Sequence, residues 1–433
     1  MVSTSQRARV TDVFQKFFHT ESASGAVLVA CTCAALLAAN SGWSQAYHGL
    51  WETPIGIGVG THQLSLTLHQ WINDGLMAIF FLLVGLEIKR EALVGELATP
   101  RQAALPIAAA VGGIVVPAAI YALASGGGPA ARGWAIPMAT DIAFALGLLA
   151  MVAPKAPVGL KVFLAALAIV DDIGAVLVIA FFYTGDISWH ALEMAGLCLL
   201  VLVALNRLRV RQLTPYLMVG LALWFFVHES GVHATVAGIL VALLIPARTP
   251  IDAQQYSASA RELLDEFDRT ETGDRIVLTS KGQQEAIFGL ERASERVTPP
   301  LLRLEHGLHG LSAFVVMPLF AFSNAGVTLS GLSVDRVTLA VLLGLAVGKP
   351  LGITAAAFAT VRAGWAALPQ GVSWTALHGC AWLGGVGFTM SLFIATLAFE
   401  GSSLLDSAKV GILLASVLAG AIGAMVIRSG LKT

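Results

Sequence analysis

Charge is scarce in this chain. Only 12% of its 433 residues are Asp, Glu, Lys or Arg, against about 25% in an ordinary soluble domain. Hydrophobic residues make up 56%, and the mean hydropathy is +0.78. The shortage leaves no room for a large soluble domain. Net charge is −1, so no global field points to a nucleic-acid partner. Cysteine is limited to Cys31, Cys33, Cys198 and Cys380, all in apolar stretches, and the Cys31–Cys33 spacing matches no common metal or redox pattern. The basic, mildly amphipathic start (MVSTSQRARVTDVFQKFF) lacks a small-residue cleavage site after a short apolar core, so no removable signal peptide is expected.

What the chain has instead is apolar run after apolar run, the composition of an all-α, polytopic membrane protein. Twelve segments stand out, at 23–40, 69–87, 103–123, 134–152, 161–183, 188–205, 214–228, 232–246, 307–328, 337–361, 376–399 and 408–427. A bilayer crossing takes about 20 residues; the seventh and eighth segments are short. With the N-terminus in the cytoplasm, 22 of the 26 Lys and Arg residues fall on the cytoplasmic side. The opposite side holds only Arg132, Arg336 and Lys409, and Lys349 lies within the membrane. Cytoplasmic loops are the ones enriched in Lys and Arg, so both termini are expected to be cytoplasmic, in one integral membrane domain spanning 1–433.

Two loops stand apart. Residues 247–303 are polar and mixed in charge, the pattern of a solvated, partly helical cytoplasmic loop. On the other face, the loop 46–68 contains PIGIGVGTHQLSLTL, which alternates in part with period two after a Gly-rich start and predicts a β-hairpin. A hairpin alone is barely stable in water, so its free edge is expected to pair with another subunit.

The fourth segment (GWAIPMATDIAFALGLLA) carries Pro137 and then Thr140–Asp141 at mid-depth; the eleventh (HGCAWLGGVGFTMSLFIATLAF) carries Gly384, Gly385 and Gly387 at a similar depth. Two kinked helices would account for either alone. Opened backbone inside a membrane is tolerated only where protein buries it or a wet cavity borders it. The two segments lie seven apart, an odd number, so segments 3–5 and 10–12 enter from opposite sides. That is the layout of an inverted-topology repeat. Half-helix ends would then meet at mid-depth, the N-termini carrying about +0.5 charge and the C-termini about −0.5. Asp141 can offset the first and Lys349 the second.

Asp171 and Asp172 sit side by side in KVFLAALAIVDDIGAVLVIAFFY. One charge at the centre of a membrane helix costs roughly 2.5–3.5 kcal/mol on insertion scales, so an adjacent pair marks a site of charge binding or proton exchange. Carboxylates in a water-poor cavity keep their protons toward neutral pH and, once ionised, suit a small hard cation that prefers oxygen ligands. Asp172, Asp141 and the Thr140 hydroxyl could form such a site. Adjacent helical side chains point about 100° apart, so one aspartate is expected to coordinate and the other to pair, Lys349 being the only intramembrane base. The alternatives are that Lys349 is a purely structural cation at helix ends and Asp171 a structural partner. Asp74 in the second segment keeps an open role. Glu87 and Glu91 lie one turn apart near that segment's inner end, and Glu305, His306 and His309 stand at the entrance of the ninth. Histidine titrates near pH 6.5, so this cluster could sense pH or be an ordinary charged interface. No cofactor is implied.

The stretches WINDGLMAIFFLLVGLEIKRE (71–91), GWAIPMATDIAFALG (133–147), ALAIVDDIGAVLVIAFFY (from Ala166), SGVHATVAG (230–238), LEHGLHG, PLFAFSNAG, GKPLGI (348–353) and GFTMSLFIATLAF (387–399) together resemble the NhaA-type bacterial sodium/proton antiporters over nearly the whole chain, in order. The inverted repeat is itself a known property of that family. The resemblance implies electrogenic export of Na⁺ or Li⁺ in exchange for more protons, under pH regulation, by alternating access, from a homodimer in the lipid of a bacterial inner membrane. It implies that Asp171 and Asp172 are the essential acid pair, with Asp172 the Na⁺ ligand, and that Asp141 and Lys349 compensate helix ends. Glu87, Glu91, Glu305, His306, His309 and His233 match residues of its pH response, and the 54–68 hairpin its dimer contact. The 247–303 loop is longer than in the shortest members.

Three rivals compete. A prenyltransferase-type enzyme needs D-x-x-D spacing, and an intramembrane aspartyl protease needs Gly-x-Gly-Asp; neither is present, so no enzyme is expected. A carrier for an organic solute would want a roomier site with aromatic or Arg ligands, and no membrane segment buries an Arg. A channel would not couple flux strictly to protons.

Overall fold

The computed structural model describes residues 23–59, 62–249, 251–270, 280–328 and 334–430. The basic N-terminal stretch and the tip of the expected hairpin lie outside these residues. Helix α1 (Ala23–Ala39) turns by 115° into α2 (Ser44–Trp51). The first half-dozen residues of the expected 46–68 hairpin loop are therefore helical, and Tyr47 and Trp51 bury themselves from this helix. The hairpin proper follows: β1 (Pro54–Val59) pairs antiparallel with β2 (His62–Thr67), Ile55 opposite Leu66.

Thr67 ends the strand and starts α3 (Leu68–Val94). Its hydroxyl accepts from the Gln70 amide while its own backbone N–H donates to the Gln70 side chain, a reciprocal cap that satisfies two exposed donors. A wide π turn over Trp71–Leu76 interrupts α3. Such turns are uncommon and recur near functional sites. Helix α4 (Pro100–Ala124) starts on a Thr99 cap with proline in its first turn, where the missing N–H costs nothing.

The fourth apolar segment is two helices. A 3₁₀ helix (Gly128–Met138) stops short, residues 139–141 are extended, and α5 (Ile142–Val152) continues at 47°. Helices α6 (Val158–Phe182), α7 (Trp189–Arg207), α8 (Leu213–Glu229) and α9 (Thr235–Leu244) follow. The polar 247–303 region is helical in part among the described residues. It forms α10 (Ala253–Arg269) and α11 (Lys281–Val297), capped by Asp252 and Ser280. They pack on one another where Leu263 meets Gly289.

Helix α12 (Pro300–Asn324) and helix α13 (Arg336–Arg362) each contain a π turn, at Ser312–Val316 and Gly344–Gly348. The eleventh apolar segment is again two helices, α14 (Trp374–Gly384) and α15 (Phe388–Ala398), bent by 41°; α16 (Leu404–Gly430) closes the chain.

Among the described residues, seven helices are long and apolar enough to cross a membrane: α3, α4, α6, α7, α12, α13 and α16. Counting each bent pair as one crossing raises the number to ten. Helices α8 and α9, with 17 and 10 residues, are shorter than a bilayer ordinarily requires. Large apolar side chains such as Phe181, Leu200 and Val417 point outward, as expected where the solvent is lipid. Without a hydrophobic drive between helices in lipid, association relies on close backbone approach at small residues. Helices α4 and α13 show it: a Cβ on Gly112 would lie 2.2 Å from the Gly352 carbonyl oxygen, and one on Gly352 would lie 2.1 Å from that of Gly112.

Candidate functional site

The two broken segments cross at their breaks. The Asp141 amide donates to the Val386 carbonyl (2.8 Å), and the Ser391 hydroxyl donates to the Ile136 carbonyl (2.8 Å). Gly387 is required here, since a Cβ would come within 2.9 Å of the Ala139 carbonyl. Four helix ends thus converge, and their unpaired backbone groups need partners.

Asp141 serves both N-termini. Its Oδ1 accepts from the Phe144 amide at the start of α5 (3.0 Å), and its Oδ2 accepts from the Thr389 amide (3.1 Å) and the Thr389 hydroxyl (2.5 Å) at the start of α15. Lys349 serves a C-terminus: its ammonium donates to the Met138 carbonyl that ends the 3₁₀ helix. The other C-terminus, at Gly384, has its carbonyl oxygen 2.9 Å from the Thr140 hydroxyl.

Asp171 and Asp172 leave α6 in different directions, as their angular offset requires. Asp171 Oδ2 lies 2.6 Å from the Lys349 ammonium and accepts the Thr140 hydroxyl at 2.6 Å. Asp172 is fully buried, yet neither of its carboxylate oxygens accepts a hydrogen bond among the described residues. A buried polar group ordinarily finds a partner, so such a group calls for a missing ion, proton or water. Asp172 borders a cavity of about 70 Å³ lined also by Asp141, Glu87, His309, Ser312 and Met390. Thr140 is not among those residues. The structure therefore brings Asp172 and Asp141 together and gives Thr140 to the Asp171–Lys349 pair.

A second cavity, of about 510 Å³, shares Glu87, Ile142 and His309 with the first and continues to Arg90, Glu91, Glu96 and Glu305. Arg90 organises this mouth, with Nη1 2.8 Å from Glu91 and Nε donating to Glu305 at 2.9 Å. Glu305 and His309, four apart on α12, face the cavity. His306, one position on, is exposed on another face of the helix. His233 lies elsewhere: its Nε2 is 3.5 Å from Asp74, which also has His228 Nδ1 at 3.7 Å. Of the residues for which the resemblance implies a pH response, the structure gathers Glu87, Glu91, Glu305 and His309 and separates His306 and His233 from them.

Three groups here were given no role from the sequence. Thr389 and Arg90 are the first two. The third is a buried polar cluster on α3, α12 and α15. The Asn324 amide nitrogen donates to Asn73 Oδ1 (3.0 Å) and Ser323 (2.8 Å), while Asn324 Oδ1 lies 3.1 Å from His69 Nε2 and accepts from Thr396 (3.3 Å). Asn73, Asn324 and Thr396 stand six or seven residues from Phe80, Met317 and Met390 of the small cavity, about 10 Å along the same three helices. A glycine-rich break followed by GFTMS was the available signal for Thr389, since it places that residue in the first turn of a half-helix.

The profile of the family described as Na⁺/H⁺ antiporter 1 matches residues 15–427. The Na⁺/H⁺ antiporter NhaA of Oleidesulfovibrio alaskensis is 51% identical over 419 residues, covering 96% of this chain and 93% of that protein. The NhaA proteins of Koribacter versatilis (48%; 97% and 92%) and Helicobacter pylori strain 26695 (44%; 95% and 94%) are similar over comparable shares. Among solved structures, the sodium proton antiporter MjNhaP1 from Methanocaldococcus jannaschii at pH 8 superposes with a TM-score of 0.52 at 13% identity, covering 95% of this chain and 92% of that one, a likeness of fold.

Proposed function

The chain belongs to the Na⁺/H⁺ antiporter 1 family, and on that premise we propose that it exchanges intracellular Na⁺, or Li⁺, for a larger number of external protons at Asp172. It is a multi-pass membrane transporter and not an enzyme. The observation that carries the reading is the fully buried Asp172 carboxylate, with no hydrogen bond on either oxygen among the described residues, opening on a cavity shared with Asp141.

In that reading Asp172 holds either protons or a cation, and Asp141 contributes oxygen from across the cavity. Protons enter by one side when the cation has left by it. Asp171 and Lys349 form a neutral pair that a proton can open, giving a second exchangeable proton and hence net charge movement. The path through Glu87 and His309 to the Arg90–Glu91–Glu305 mouth is the cytoplasmic access route, and its titratable groups set the pH response. Twelve crossings, with α8 and α9 spanning as short helices, place both termini in the cytoplasm of a bacterial inner membrane. The two broken segments belong to an inverted repeat that rocks about the site in a single domain. The β1–β2 edge pairs with a second copy in a homodimer, surrounded by lipid.

Everted membrane vesicles from a strain lacking its own sodium exporters test this. A respiratory proton gradient should collapse on adding NaCl, more strongly as pH rises from about 6.5 to about 8.5. No response at any pH, with folded protein present, would send the reading to organic solutes.

A further inference from the structure

We infer that Thr389 is a positioning residue that limits how tightly the site holds its cation, by occupying a lone pair of Asp141 that the ion would otherwise take. The inference rests on the antiport reading and adds a residue to it.

Two of the three carboxylates that line the cavity, Asp172 and Asp141, are in opposite states. Asp172 has no hydrogen bond on either oxygen among the described residues. Asp141 accepts one on Oδ1 and two on Oδ2. A carboxylate offers about four lone-pair positions, two on each oxygen. Thr389 alone fills Oδ2, with its amide at 3.1 Å and its hydroxyl at 2.5 Å. At most one position, on Oδ1, is left for an ion seated against Asp172.

The two donors differ in kind. The Thr389 amide is fixed by the first turn of α15, whereas the hydroxyl is held by one side-chain torsion. Thr389 is fully buried, so water does not replace its hydroxyl. The next residue, Met390, lines the cavity itself. The hydroxyl is therefore the adjustable competitor for Asp141. With it in place the cation binds mainly to Asp172 and leaves readily; without it Asp141 becomes a full second ligand. An exchanger turns over fastest when it does not hold its ion too tightly, so the hydroxyl trades affinity for rate.

Thr389→Val removes the hydroxyl and keeps the β-branched shape and the amide bond. Its KM for Na⁺ should fall, on the order of ten- to a hundredfold, the scale of one hydrogen bond to a charged group. Its kcat should fall with it. Thr389→Ser should return both toward the parent. A KM that rises, or a KM and kcat both unchanged, overturns the inference, the first because the hydroxyl would then be a ligand. If the valine variant does not fold, Thr389→Cys, with its weak thiol donor, carries the same test: a lower KM supports the inference, and a parent-like or higher KM overturns it. Protection of the purified proteins from thermal unfolding by NaCl reads binding without transport, and the valine variant should saturate at lower Na⁺. A parent protein that shows neither exchange nor Na⁺ protection sinks the antiport reading itself, and that outcome is distinct from a failure of Thr389 alone.

Discussion

Lys349 holds its ammonium 2.6 Å from the Asp171 carboxylate, with neither side chain exposed. Each charge is tolerable there because the other is present. Removing one partner of a buried pair leaves an uncompensated charge and costs about 3–5 kcal/mol, whereas removing both is far less damaging. Lys349→Ala should therefore lower the midpoint of thermal unfolding markedly, and Lys349→Met combined with Asp171→Asn should recover most of the loss. A double variant no better than the single one would show that Lys349 acts chiefly through the Met138 carbonyl.

Asp172 offers the contrast. No hydrogen bond from the described residues is lost when its charge is removed. Asp172→Asn should abolish Na⁺-dependent proton exchange in vesicles while leaving thermal stability at or above the parent value. Substantial exchange by this variant would remove Asp172 from the site.

The contact of α4 with α13 depends on two hydrogens where other residues carry a methyl. In Gly352→Ala the new Cβ would meet the backbone of Gly112, which cannot rotate aside. Overpacking of this kind costs about 1–3 kcal/mol. Because α13 carries Lys349, the same change should weaken transport as well as stability. Gly364→Ala, at an open position with φ +77°, is a control that carries backbone strain without a clash. Equal effects from the two would refute the packing argument.

Asp335, at the start of α13, gives a pH prediction outside the membrane. Burial pushes its carboxyl up, but the Thr338 amide and the Ser407 and Thr338 hydroxyls outweigh that and hold it below its ordinary value of 3.8. A depressed folded value means that the carboxylate stabilises the fold above the ordinary range, and that this contribution is lost as pH falls through the folded value. Asp335→Ala should cost about 1 kcal/mol near neutral pH, as N-cap losses do. The gap between parent and variant should close in acid. A gap that is constant with pH would mean the charge contributes nothing.

The acid pair stood out because charge inside an apolar run is costly, and the two bends because Pro137 and the Gly384–Gly387 cluster fall at mid-depth, although proline alone is no sure sign, since α4 runs unbroken through Pro106 and Pro117. The partner of Thr140 was not legible. Whether its hydroxyl faces Asp172 or Asp171 depends on how two breaks cross, and no local pattern encodes that crossing. His306 was legible in part, since the helical period alone puts it off the face that Glu305 and His309 share. His233 required the fold, because only tertiary packing sets it beside Asp74 and Phe393. Residues 247–303 read as partly helical, but their polar composition did not place the two helices, which begin at the Asp252 and Ser280 caps.

The Asn324 carboxamide ties α3, α12 and α15 together at one end of the path, two turns from the cavity those helices line at the other. Each bond in this knot contributes only about 0.5–1.5 kcal/mol while it is made. The Asn324 nitrogen keeps the Phe320 carbonyl and the Ser323 hydroxyl of its own helix whatever its neighbours do. What separation would leave unmet is the side-chain oxygen of Asn73 and that of Asn324, and an unmet buried acceptor is the costlier state. The carboxamide is in effect a rivet through three helices, so a shift of any one of them is felt by the other two.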